Sequence, residues 1–408
     1  MGLNVLVIDR APPASITQGN SLIARRVFPL LGHHRLTLFC PTLPAAVATD
    51  SDAAALASVA EYFDDVLGVP RRRPVSALGG WLAHASAARA PWAPGDAGRF
   101  VTRVRGAAAG RHFDVVHVRQ LPMAPLGRVA EASGRILELV DSEALGSART
   151  SRLAKSSNAG AVDLLRGRVR AAAARSIERR AMAGYDVVTT VAERDRDALR
   201  RLEPDARVVV VPNGVDADEF RPLELPEVPG RIAFVGAMSY PPNIAAARFL
   251  ATEVLPRVRT LGVSVELVGR SPAVGVVRLA GGRVAVTGSV ADVRPHLARA
   301  ELVVIPMLSG SGIKNKVLEA MAMGRPVVAT PLAVEGIALE RGDELEVADG
   351  ADAIATAVDR LLADPAARLE MGRRARELVM RRYTWDACAA VYDRLYRELA
   401  ESPFTRRR

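Results

Sequence analysis

The stretch ELVVIPMLSGSGIKNKVLEAMAMGRPVVATPLAVEG, residues 301–336, decides the fold. Leu302 to Ile305 is a short β-branched run, and Pro326 to Ala329 is a second. Between them Val317, Leu318, Met321 and Ala322 recur at helical spacing, and Gly324 followed by Pro326 closes the helix. Two parallel strands joined through a helix make a βαβ unit, whose ligand side is the carboxyl edge of the strands. Ser309, Gly310, Ser311 and Gly312 fall at that edge. Small residues there leave backbone N–H groups open at a helix N-terminus, a place suited to an anion.

Lysine usage points the same way. The chain has 55 Lys plus Arg, yet lysine occurs only at Lys155, Lys314 and Lys316. A cation on the first turn of a helix is mildly unfavourable, by ~0.3–1 kcal/mol, and a bound phosphate reverses that sign. Two solvated lysines would need no such ligand; the glycines beside them favour the phosphate.

At 408 residues the chain exceeds one ordinary core, so two domains are expected. A content of 49% hydrophobic and 25% charged residues excludes a disordered chain. The net charge of +10 comes with only 4% aromatics, so the aromatic interleaving of a nucleic-acid binder is missing and no nucleic-acid partner is expected. Cys40 and Cys388 stand far apart in apolar contexts and read as buried thiols, with no disulfide framework and no metal spacing. The N-terminus runs straight into the strand Val5–Ile8, and no uncharged apolar run approaches ~20 residues. A cytoplasmic chain is expected, with peripheral contact at the inner membrane face through its basic segments.

Further strands are expected at Leu36 to Cys40, Phe113 to Arg119, Ile136 to Val140, Asp186 to Val191 and Val208 to Val211. Residues 69–98 read as a long loop, Gln120 to Pro125 as a loop, and Val162 to Ala183 as a basic helix that either faces solvent or lies on anionic lipid. Pro212 to Asp216 is a turn-rich junction, after which strands resume at Arg231 to Gly236, Val263 to Val268 and Val284 to Thr287.

The order of VPNGVD (211–216), FVGAMSYPPN (234–243), LVGRSP (267–272), VTGSVADV (286–293) and GIKNKVLEAMAMGRPVVAT (312–330) resembles the GT-B nucleotide-sugar glycosyltransferases. Within them it is similar to the retaining enzymes of glycosyltransferase family 4, and with LVDSE (139–143) to a subgroup of bacterial sugar transferases. The resemblance implies an α/β, GT-B architecture of two Rossmann-like doubly wound parallel-sheet domains facing a cleft. Residues 1–212 would bind the acceptor and be joined by a C-terminal helix at about 386–400; residues 213–385 would bind the nucleotide sugar.

By resemblance Glu319 holds the ribose hydroxyls, and Gly310, Ser311, Gly312 and Ile313 meet the sugar and diphosphate. Gly19 and Asn20 would approach from the first domain, with Gly236, Asn243, Gly269, Arg270 and Val290 completing the donor site. His117, Arg119 and Lys314 are the candidate catalytic residues. Relatives commonly carry a glutamate where Ser311 stands, and an Arg and a Lys where Ala237 and Pro242 stand. Lys314 is therefore expected to neutralise the diphosphate, with Lys316 as helper. A carbohydrate donor activated as a UDP-sugar is favoured over a GDP-sugar, and no metal or other cofactor is expected. The acceptor is a glycan, lipid or small molecule, and a homodimer is left open. A non-hydrolysing sugar-nucleotide epimerase and a non-catalytic sugar-nucleotide binder share the same architecture. A dehydrogenase is disfavoured, because no G-x-G-x-x-G follows the first strand of either half.

Overall fold

The computed structural model describes residues 2–9, 19–43, 61–70, 101–140 save 103 and 107, 142, 144–145, 161–310 and 313–401. The expected loop over 69–98 lies outside them from residue 71, as do the arginines at 71–73 and residues 146–160. The chain forms two units: Met1–Val211 with Ala389–Arg408, and Pro212–Cys388.

The first unit carries a seven-stranded parallel sheet. Its strands are β1 (Asn4–Ile8), β2 (Arg35–Leu43), β3 (Asp65–Pro70), β4 (Phe113–Arg119), β5 (Ala132–Glu138), β6 (Val187–Thr190) and β7 (Val208–Val210). Their spatial order is β3-β2-β1-β4-β5-β6-β7, so the order reverses between β1 and β4, the switch point at which such sheets open a crevice. NVLVI in β1 and FDVVHVR in β4 are buried along nearly their whole length because both faces of a parallel sheet are covered. Two expectations are corrected here. The strand expected at Ile136 to Val140 begins earlier, at Ala132, and the segment after β4 is a 3-10 helix, Leu121–Arg128, entered through Pro122.

Helices α1 (Gly19–Val27), α2 (Ala161–Met182) and α3 (Glu193–Leu202) belong to this unit. The basic helix expected from the sequence is α2. Its Ala171, Ala174 and Met182 are buried, while Arg175, Arg179 and Arg180 are exposed.

In the second unit the strands are β8 (Val228–Val235), β9 (Ser264–Val268), β10 (Val284–Gly288), β11 (Ala300–Ile305), β12 (Val327–Ala329) and β13 (Glu346–Val347). They form a parallel sheet in the order β10-β9-β8-β11-β12-β13, again reversing beside the first strand of the unit. The longer helices here are α4 (Pro241–Phe249), α5 (Asn315–Ala322), α6 (Ala351–Ala363) and α7 (Pro365–Arg382). The βαβ unit read from residues 301–336 is β11-α5-β12, with Val303, Val304 and Ile305 in register with Val327, Val328 and Ala329. Asp364 starts α7 by accepting from the Ala367 amide at 2.9 Å, ahead of Pro365 at the first helical position.

The last helix, α8 (Trp385–Glu401), spans the division between the units, which falls after Cys388. Tyr392, Leu395, Tyr396 and Leu399 bury its inner face in the first unit. Gly134 on β5 makes this approach possible, since a Cβ there would lie 2.5 Å from Leu399 Cβ. Gly134→Ala is expected to cost ~1–3 kcal/mol through overpacking, read as a lower melting temperature; an unchanged melt would contradict the tight seating of α8. Both cysteines are buried free thiols, and no helix among the described residues is long and apolar enough to cross a membrane.

Candidate active site

In the second unit, three loops at the carboxyl edge of the sheet converge on one point. Gly236 follows β8, and its N–H donates to Val268 O at 2.9 Å. Gly269 follows β9 with φ +151°, where a Cβ would sit 1.7 Å from Gly236 O, so the two backbones meet only because residue 269 is glycine. Arg270 holds the Met238 amide through its carbonyl at 3.0 Å and keeps an exposed side chain.

Helix α5 enters from the third loop. Gly310 has φ +115°, and Lys314 is the N-cap in an extended conformation, without a side-chain cap on the first turn. With no acidic residue on that turn, its amides face no carboxylate of the helix itself. Val317, Leu318, Ala320, Met321 and Ala322 bury the inner face and fix the helix against the sheet. Asn315, the first helical residue, accepts from Asn213 Nδ2 at 3.1 Å, tying the 211–216 junction to the helix start.

Lys316 reaches from α5 to the loop after β8. Its Nζ donates to Asn243 Oδ1 at 2.7 Å and stands 4.5 Å from the centre of the Phe234 ring. Asn243 is itself buried and holds the loop by donating from Nδ2 to Ala237 O at 3.0 Å. Burial pushes the Lys316 ammonium down to about 8, with Glu319 opposing and Lys314 adding to the shift. Burial pushes the Glu319 carboxyl up to about 7, opposed by Lys316 and assisted by Glu219. A half-buried acid and base on one helix face, both displaced toward neutrality, mark this edge as a candidate site.

The residues expected to bind the donor thus divide. Gly236, Asn243, Gly269 and Lys316 are brought together, with Glu319 one turn further along α5 and Arg270 attached through Met238. Lys314 is 9% exposed, and Ile313 beside it is also buried. Gly310 is described; Ser311 and Gly312 lie outside the described residues. Val290 follows Gly288, whose φ is +71°, and is half-buried. In the first unit Gly19 and Asn20 are the opening residues of α1.

His117 and Arg119 sit elsewhere in the first unit, in its interior, with 1% and 0% exposure. Arg119 Nε and Nη2 bind Glu138 at 3.1 and 2.9 Å, and Nη1 binds Asp9. His117 Nδ1 meets the Tyr396 hydroxyl at 2.7 Å, its Nε2 lies 3.2 Å from Glu138 Oε2, and the Tyr392 hydroxyl donates to the same carboxylate at 3.3 Å. Burial alone would depress the Arg119 pKa, but Glu138 and Asp9 outweigh it and hold it above the ordinary value. Burial likewise opposes Glu138 ionisation, yet Arg119 and His117 bring its pKa down to about 2. The expectation that these two side chains face a ligand is corrected in this respect: every one of the contacts above is internal. A strand of apolar residues with His and Arg at alternate positions could have signalled this, since both point to one covered face of a parallel sheet.

Among the described residues one group has metal-ligand composition: His33, His34 and Asp393, at the amino end of β2. The Leu3 amide donates to His34 Nδ1 at 3.1 Å, so His34 Nε2 carries its proton toward Asp393 Oδ1 at 2.8 Å and offers no lone pair to an ion.

Comparison with known proteins bears on this arrangement. The family model "Glycosyl transferases group 1" matches residues 229–364, and "Glycosyl transferase 4-like domain" matches residues 31–214. A GDP-mannose-dependent alpha-(1-6)-phosphatidylinositol monomannoside mannosyltransferase of Mycobacterium tuberculosis is 29% identical over 244 residues, 53% of this chain and 63% of that protein. A phosphatidyl-myo-inositol mannosyltransferase of Mycolicibacterium smegmatis is 31% identical over 216 residues, 49% of this chain and 55% of that protein. The matched regions therefore span less than two thirds of these curated relatives. Among solved structures, a sucrose-phosphate synthase of Thermosynechococcus elongatus aligns with TM-score 0.65 at 16% identity, covering 97% of this chain and 98% of that one. HepE of Anabaena in complex with UDP aligns with TM-score 0.64 at 14% identity, covering 97% and 100%. At those identities the likeness is one of fold. The two family models meet across most of the sequence, and the chain belongs to the family-4-type glycosyltransferases of group 1, with the GT-B fold.

Proposed function

We propose that this protein transfers a hexosyl group from a nucleoside-diphosphate sugar, bound by the second unit, to a hydroxyl of an acceptor bound by the first. The observation that carries the reading is the half-buried Lys316 and Glu319 pair, three residues apart on α5 beside the glycine-lined carboxyl edge. Cleavage of the anomeric C–O bond passes through an oxocarbenium-like state and leaves a nucleoside diphosphate. Open helix amides and an ammonium held by Asn243 place positive charge where that negative charge develops, with little reorganisation at the moment of reaction. Glu319 accepts hydrogen bonds from the ribose hydroxyls of the donor.

The donor is a GDP-sugar, reversing the expectation of a UDP-sugar. The support is that a curated relative at 29% identity is named for its dependence on GDP-mannose. The acceptor class that goes with that relative is a lipid-linked sugar. Transfer proceeds with retention and without a metal, the departing phosphate taking the acceptor proton.

The test is transfer of labelled mannose from GDP-mannose to phosphatidylinositol monomannoside in detergent, with EDTA present, against UDP-glucose as competing donor. A labelled α-linked lipid product made from GDP-mannose supports the reading. Turnover of neither donor, or product only after a divalent cation is restored, counts against it.

A further inference from the structure

We infer that Lys316 supplies the counter-charge for the donor diphosphate from α5, standing in for the cations that the loop after β8 lacks. The inference rests on the glycosyl-transfer reading and deepens it by naming the group that binds the leaving phosphate. It also reverses the order of the two lysines expected from the sequence, where Lys314 led and Lys316 assisted.

The segment from the end of β8 into the first turn of α4, residues 236–243, reads GAMSYPPN and carries no charged side chain. Lys316 fills that gap from the neighbouring helix. A Cβ on Gly236 would lie 2.7 Å from Lys316 Nζ and 2.7 Å from Asn243 Nδ2, so the bare glycine is what admits the ammonium to the carboxyl edge. There the ammonium has one neutral acceptor, Asn243 Oδ1, and one aromatic face, Phe234. Among the described residues no carboxylate stands within ion-pair distance of it; Glu319 acts on it only from further off.

An ammonium carries three N–H donors, and one drawn partly out of water without a close anion is costly. Asn243 and Phe234 fix its direction, and among the described residues its charge is met only by Glu319, from beyond ion-pair distance. A diphosphate arriving at this edge supplies the missing anion and accepts the remaining donors. Lys314 is placed differently. It is the N-cap, its Cε lies 3.6 Å from the Cβ position of Gly310, and it has partners of its own.

Titration calorimetry on the full chain tests this, with GDP and UDP each compared with its nucleoside. For the diphosphate that binds wild type, Lys316→Ala is expected to weaken affinity by about 30-fold or more, while the nucleoside is held as before. Lys314→Ala is expected to change it by less than about 3-fold. Adding Ala237→Arg to Lys316→Ala restores a cation from the loop after β8 and recovers most of the loss. Retained nucleoside binding shows that the variant is folded, and Lys316→Gln serves as the closer isostere if the alanine variant is not. Full diphosphate affinity in Lys316→Ala, a larger loss in Lys314→Ala, or no recovery with Ala237→Arg overturns the assignment. Failure of wild type to bind either diphosphate instead overturns the glycosyl-transfer reading beneath it.

Discussion

Glu319→Gln is expected to lower kcat/KM for the donor by about 10–100-fold, the loss of charged hydrogen bonds to two ribose hydroxyls, while making the folded protein more stable at pH 8. The two effects share one cause. Burial raises the Glu319 carboxyl from 4.5 to about 7, so between those values the folded state holds a proton that the unfolded chain has released. Stability linked to this group is fully present below pH 4.5 and is lost as pH rises through 7. The displacement corresponds to a cost on the order of 3 kcal/mol at alkaline pH. Glutamine removes that cost but also removes the carboxylate that supports the Lys316 ammonium, so a net gain of about 1–2 kcal/mol is expected. Melting curves of the two proteins should separate at pH 8 and converge towards pH 5. A variant that is less stable at pH 8, or as active as wild type, would mean that the carboxylate serves the fold and not the donor.

Lys316 titrates with the opposite sign. Its folded pKa, about 8 against an ordinary 10.5, means that the half-buried ammonium costs stability below 8 and that this cost is relieved as pH rises from 8 to 10.5. Diphosphate affinity should run the other way, falling above pH 8 as the ammonium loses its proton. Both groups are therefore held at a cost between pH 7 and 8, the window in which a diphosphate finds an ammonium waiting for it.

The largest loss of stability is expected from Arg119→Ala. That guanidinium bridges two buried carboxylates, Asp9 and Glu138, at the carboxyl ends of β1 and β5. Removing it takes the bridging charge from two carboxylates held in the interior, at a cost of ~3–5 kcal/mol. It also loosens α8, because Tyr392 and Tyr396 bind the same cluster through Glu138 and His117. The expected readout is a melting temperature lowered by many degrees, with the pH for acid unfolding shifted. A well-folded, stable Arg119→Ala protein that had lost only transfer activity would return this residue to the catalytic role expected from the sequence. His117→Phe discriminates further, since it removes the Tyr396 hydrogen bond but keeps a ring beside Phe28, 5.8 Å away.

The βαβ core was legible because its signals are local. Apolar runs of strand length, a helical repeat in residues 317–322 and a Gly-Pro stop all lie within 36 residues, and each agrees with the others. The start of β5 was missed because Ala132, Ser133, Gly134 and Arg135 have poor strand propensity; Gly134 is there to admit Leu399, a contact 265 positions away. The two-residue strand β13 was missed for the same reason, being set by its neighbour β12 rather than by its own sequence. In the candidate site the residue types were readable and their directions were not. Lys314 and Lys316 differ by two positions, so on a helix start they point to different sides, and only the packing of α4 and β8 shows which ammonium meets Asn243 and Phe234. Asp9 and Glu138 drew no notice as partners of Arg119, because strand adjacency that reverses at β1 and β4 brings together residues 110 and 19 positions apart.

A thermal-shift panel of nucleoside diphosphates on wild-type protein, with and without EDTA, asks whether the second unit holds a diphosphate through a lysine and without a metal. A ligand that binds only the folded chain raises its melting temperature by mass action. Stabilisation by GDP above UDP, unchanged by EDTA and weakened in Lys316→Ala, is the result this account predicts. No stabilisation by any nucleoside diphosphate would contradict it and leave Lys316 and Glu319 of α5 without a ligand.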